Sequence, residues 1–180
     1  DVAVPEGGYH GEDLIATARR FLAEHGAGLA DAPPEERRAA LLEYTLREKL
    51  TAIKASLAAF GVEFDVWFSE RTLHAEGAVR RTIEELAARG HVYEREGALW
   101  FRASAFGADK DEVLVRQNGM PTYFAADIAY HKNKFDRGFA RVIDVWGADH
   151  HGHVARMKGA LAALGYDPDA LDVVLMQLVR

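Results

Sequence analysis

Between residues 142 and 164 the chain passes from a short apolar run, Val142–Trp146, through Gly147-Ala148-Asp149-His150-His151-Gly152-His153, into a stretch of helical periodicity that stops at Gly165. A strand, a glycine-bounded polar turn and a helix in direct succession form the repeating unit of an open parallel sheet with helices on its faces. The stretch Tyr123–Phe135 reads as a helix before this unit, and Leu171–Val179 is a nearly continuous apolar run after it. Residues 119–180 therefore predict helix, strand, helix, strand. The two apolar runs suit strands buried on both faces. Two parallel strands do not make a stable doubly wound sheet, so further strands are expected from earlier in the chain or from sequence outside it. The chain also closes on an apolar segment, Val173–Arg180, which reads as a strand cut through rather than a natural terminus.

The earlier region, residues 1–118, has a different rhythm. Leu14, Ile15, Ala18, Phe21 and Leu22 recur at helical spacing and predict an amphipathic helix ending near Gly26. After a small-residue linker, Gly26–Pro34, a longer helix follows, with a cap-like entry at Asp31–Pro34, Glu35 and Glu36 in its first turn and a stripe of Leu41, Leu42, Leu46, Leu50, Ile53 and Leu57. The alternation in Val62–Phe68 predicts a strand, and Gly77–Arg89 predicts a helix. Val92–Arg95 and Ala98–Arg102 flank a Glu-Gly turn, and Asn118-Gly119 after Val113–Arg116 is a hairpin signal. The expected fold class is α/β: a partial parallel sheet, 119–180, preceded by a helical and β-hairpin insertion region, 1–118.

The 180 residues carry 49% apolar side chains, a net charge of −6 and no cysteine. A disulfide framework, a thiolate metal site and a cysteine nucleophile are excluded together. No apolar run approaches the ~20 residues that span a bilayer. Asp1–Gly8 lacks the basic start and apolar stretch of a signal peptide. A soluble, intracellular protein is the simplest class. His131, Lys132, Lys134, Arg137 and Arg141 form the densest basic stretch, opposed by Asp136 alone, and read as a solvated helix face.

The strongest candidate for chemistry is the loop Gly147–His153, at the end of an apolar strand where parallel sheets bind ligands. Gly147 and Gly152 permit close backbone approach, Asp149 can accept from ribose hydroxyls, and the following helix amides can face a phosphate. Two rivals use the same residues. Asp149, His150, His151 and His153 invite a metal site, although adjacent residues project in different directions. His150-His151-Gly152-His153 also fits H-x-G-H, a signature of nucleotidylyl transfer in which imidazoles stabilise charge at the α-phosphate. A second candidate is Tyr123 with Asp127, four apart and on one helix face. A carboxylate beside a phenol suits a cationic ligand, a guanidinium above all. Against this stands a surface Asp near a half-buried Tyr. In Phe64–Glu70, Ser69 or Glu70 reads more simply as capping the helix that follows.

At these residues the sequence resembles bacterial-type arginyl-tRNA synthetases, class I enzymes with a Rossmann-like catalytic fold. The resemblance rests on Gly8-Tyr9-His10-Gly11-Glu12, Phe60–Glu70, Gly97–Arg102, Thr122–Lys132, Val145–Gly152 and Met176–Arg180, in the family's order. It implies joining of arginine to tRNA with ATP and Mg2+ through an arginyl-adenylate, in a monomeric, cytoplasmic enzyme with no protein-bound metal in this stretch and no membrane partner. It places Tyr123, Asp127 and His151 at the amino acid arginine. Gly147, Asp149, His150 and Val179 fall at ATP. Which of His150 and His151 faces ligand stays open.

The departures are equally specific. The family's own H-x-G-H motif belongs to the first Rossmann half, so the match at His150–His153 is a coincidence within the G-A-D-H-H-G loop. No lysine stands in a K-M-S-K motif. No catalytic residue is therefore assigned within these residues. The chain reads as the connective region and second Rossmann half of such a catalytic domain, inactive by itself. The alternatives are a noncatalytic RNA- or protein-binding module and a metal-dependent hydrolase using His150–His153.

Overall fold

A computed structural model describes Val4 and residues 6–179. Part of the amino-terminal stretch examined for a leader, and Arg180 of the last matching stretch, lie outside the described residues. The chain divides into two compact units, one ending at Trp67 and one beginning at Phe68.

The first unit is built on two helices, α1 (Glu12–His25) and α2 (Pro34–Ala59). Pro34 opens α2 where a missing N–H costs nothing, and Glu35 and Glu36 meet the positive end of its dipole. Phe21 and His25 of α1 pack around the buried Tyr44 of α2. Lys49 pairs with Asp13 at 2.8 Å, and Arg20 with Glu48. Leu41, Leu42, Leu46, Leu50 and Ile53 of the predicted stripe remain exposed. The strand predicted at Val62–Phe68 does not form. Among the described residues its alternation meets no neighbouring strand to complete a ladder, and Phe64 instead packs edge-on against Trp67 with Lys54 over the indole.

The second unit holds α3 (Glu70–Ala75), α4 (Ala78–Ala88), an antiparallel sheet of β1 (Val92–Arg95), β2 (Ala98–Phe101) and β3 (Glu112–Val115), then α5 (Tyr123–Asp136), β4 (Val142–Gly147), α6 (His151–Ala163) and β5 (Leu171–Met176). Ser69 precedes α3 but caps with its carbonyl, which accepts from the Thr72 amide and hydroxyl; Glu70 faces His74 one turn on. The β1–β2 turn sets Glu96 at φ 53° and Gly97 at φ 72°, the paired positive values that suit a two-residue hairpin. Asn118-Gly119 turns the chain as well, but the return pairs only as a single bridge, Val115 to Pro121, because Thr122 already begins a helix.

One core runs through this unit. Leu73, Leu86, Phe101, Leu114, Ile128, Met157, Leu161 and Leu171 are all almost fully buried and belong to one apolar cluster. The antiparallel sheet and the α/β elements are thus welded together. β4 and β5 pair in parallel, Val142 opposite Leu171 through Gly147 opposite Met176. They are not central strands among the described residues: Val142 and Leu171 are buried, whereas Ile143, Val145, Val174 and Met176 on the other face are exposed. Sequence alternation could not reveal this, since these strands are apolar on both faces. The antiparallel strands form a separate sheet and do not extend the parallel one.

Phe101→Ala should lower the stability of the chain by about 3–5 kcal/mol, the usual cost of a large core deletion. Leu42→Ala, on the exposed stripe, should stay within about 0.5 kcal/mol. Urea unfolding of both variants measures the contrast.

Candidate functional site

The start of α5 is fixed from below. Thr122 accepts from the Ala125 amide as the helix cap, donates its hydroxyl to the Val113 carbonyl at 2.7 Å, and donates its amide to the Leu114 carbonyl. One face of the helix, Phe124, Ala125, Ala126, Ile128 and Ala129, is buried. The opposite side presents Tyr123 in the first turn, 79% exposed, and Asp127 one turn later, half exposed. The shared face predicted for this pair is therefore present and open.

The carboxyl end of β4 supplies the second set. After Gly147 the chain makes a short 3-10 turn, Ala148–His150, and enters α6 at His151, two residues earlier than the periodicity predicted. Asp149 folds back over Gly147, where a Cβ would meet its Oδ1 at 2.5 Å. Asp149 Oδ1 lies 3.2 Å from His150 Nδ1, and both side chains are largely exposed. His151 is exposed at the first position of α6. Val179, 92% exposed, follows β5, whose Met176 stands opposite Gly147. Gly147, Asp149, His150 and Val179 thus belong to the same end of the two-stranded sheet. Among the described residues no three His, Asp or Glu side chains gather as a metal-ligating group.

His153 joins the two sets. Its Nε2 is 3.3 Å from Asp127 Oδ2, off the direction of a hydrogen bond, and its ring lies against Phe124 and Trp146 at 5.4 and 5.3 Å. The predicted arginine helix and the polar loop meet through this residue. Sequence reading had grouped it only with the neighbouring histidines.

A second feature escaped sequence reading altogether. His131, read as part of a solvated basic face, is 3% exposed. Its Nδ1 is 2.7 Å from the Asp127 carbonyl, and its Nε2 is 2.5 Å from Asp144 Oδ2. Lys134 donates to the other Asp144 oxygen at 2.7 Å. Lys132 is engaged too, with Asp136 and the Tyr166 hydroxyl. His131, Lys132 and Lys134 are thus bonded side chains, whereas Arg137 and Arg141, beyond the end of α5, are exposed. One signal was available: Asp144 sits at an inward position between Val142 and Trp146, and a buried acid requires partners. Burial pushes the Asp144 carboxyl up, but the bonds from His131 and Lys134 outweigh it and hold it below the usual carboxylate range.

The family model for the class I (R) tRNA synthetase catalytic domain matches residues 12–178. The chain belongs to this family. Arginine–tRNA ligases of Desulforudis audaxviator and Moorella thermoacetica are 71% and 63% identical to this chain over its 180 residues, which cover 32% of either relative. The chain thus spans about a third of the length of the curated relatives it matches. A Campylobacter jejuni structure assigned as an arginyl-tRNA synthetase is 36% identical, with a TM-score of 0.89 over 99% of the synthetase chain and 38% of its own. The α/β fold class expected from the strand–turn–helix unit is shown.

Because the Asp144 carboxyl is lowered in the folded state, its stabilising contribution is full above the unfolded value of about 3.9 and is lost as pH falls through the folded value. Acid unfolding of the synthetase chain should therefore become less pH-dependent below about pH 4 in Asp144→Asn, which urea titrations across that range would measure.

Proposed function

We propose that the synthetase chain is part of an arginine–tRNA ligase that activates arginine with ATP and transfers it to tRNA. The observation that carries this reading is the open Tyr123–Asp127 turn brought by His153 to the loop at the end of β4. Residues 119–180 serve as the second half of the Rossmann-like nucleotide fold, and residues 1–118 as its connective region. A monomeric, cytoplasmic enzyme is the setting this implies.

In this reading Asp127 grips the substrate guanidinium through paired charge-assisted hydrogen bonds, and Tyr123 flanks it. His151 completes the arginine side. Asp149 accepts from the ATP ribose above the clearance at Gly147, His150 lies beside it, and Val179 offers backbone to the adenine. The arginine carboxylate oxygen attacks the ATP α-phosphorus, the bond to the bridging oxygen breaks, and pyrophosphate leaves. A ribose hydroxyl at the tRNA end then attacks the adenylate carbonyl, AMP departs, and the hydroxyl proton passes to solvent. The residues of this chain contribute by orientation and charge placement. Mg2+ would accompany ATP in this reading and would supply charge neutralisation at the phosphates.

Asp127→Ala in the full-length ligase should weaken the use of arginine by about 1.5–3 kcal/mol, the range for hydrogen bonds to a charged group. Arginine-dependent ATP–pyrophosphate exchange measures it, and an unchanged arginine KM would sink the assignment. The 180-residue chain by itself should give exchange at background. Activity there would instead revive His150–His153 as a nucleotidylyl-transfer motif.

A further inference from the structure

Both ring nitrogens of His131 face groups that only accept. A backbone carbonyl, that of Asp127, lies 2.7 Å from Nδ1. A carboxylate oxygen of Asp144 lies 2.5 Å from Nε2. The Lys134 ammonium, 2.7 Å from the other carboxylate oxygen, keeps Asp144 in its ionised form within a site where all three side chains are largely buried. A neutral imidazole donates from one nitrogen only, so two bonds to two acceptors require both protons. Trp146 of β4 and Tyr130 of α5 flank the ring at 6.3 Å each, and Lys134 also lies over the Tyr130 ring.

From this geometry we infer that His131 is a buried imidazolium and a positioning residue for Asp127. The inference rests on the proposed reading of Asp127 as the arginine carboxylate. His131 and Asp127 stand four apart on α5, hence on one face. The imidazolium fixes that turn in two ways. Its Nδ1–H holds the Asp127 carbonyl, and its Nε2–H ties the helix to Asp144 of β4. The Asp127 turn is thus held by His131 through its main chain, and His153 Nε2 stands 3.3 Å from its side chain.

The test uses the full-length ligase with nitrogen-labelled histidine. NMR should show His131 carrying a proton on both ring nitrogens at neutral pH. A single-proton tautomer would overturn the inference, whether or not any variant folds. His131→Asn, with a native circular dichroism spectrum, should raise the arginine KM roughly tenfold or more, as expected for a displaced binding group, while the ATP KM holds. An unchanged arginine KM in that folded variant, or equal rises in both KM values, rejects the positioning role. The two readings fail separately. A doubly protonated His131 together with an Asp127→Ala variant of normal arginine KM would sink the arginine assignment alone. A single-proton His131 together with an arginine-blind Asp127→Ala variant would sink only the imidazolium.

Discussion

The Asp144 carboxylate, held between His131 and Lys134, is the interaction on which the candidate site depends. It lies on an otherwise apolar inward face of β4, where an unpaired charge would cost several kcal/mol. Such a charge is tolerated only with partners in fixed geometry, and both partners come from α5. The pairing therefore fixes rotation and register between helix and strand. An all-apolar contact of the same area would be no weaker, but it would tolerate sliding. What the buried charges supply above all is one arrangement.

That arrangement has consequences at both ends. The same helix turn that reaches Asp144 carries the Asp127 carbonyl, and the next turn toward the amino terminus carries Tyr123. The strand that holds Asp144 runs directly into Gly147 and Asp149. Thr122 clamps the start of α5 to β3, and Arg156 of α6 pairs with Glu112 of the same strand. The antiparallel sheet is thus the floor on which α5 and α6 are mounted. The shared core from Leu73 to Leu171 makes that floor rigid.

Much of this was legible in advance, for definite reasons. α1, α4 and α5 have apolar periodicity or caps strong enough to bound them, and Glu96-Gly97 can make little but a tight turn. Tyr123 and Asp127 share a face by helix geometry alone. The failures are as definite. Val62–Phe68 alternates like a strand but has nothing to pair with. Asn118-Gly119 turns the chain, yet Thr122 begins a helix before a second strand can form. The basic stretch of α5 resembled a solvated face because a sequence shows charges without their partners.

By itself the sequence determined the α/β class, the order of elements in the second unit and the shared helix face of Tyr123 and Asp127. These follow from local spacing and backbone geometry, which need no distant partner. Only the tertiary structure decided which face of each strand is covered, that His153 stands between Asp127 and Trp146, and that His131 is buried against Asp144. Those facts depend on contacts between residues distant in sequence, 44 apart for Glu112 and Arg156, whose desolvation and pairing no local pattern encodes.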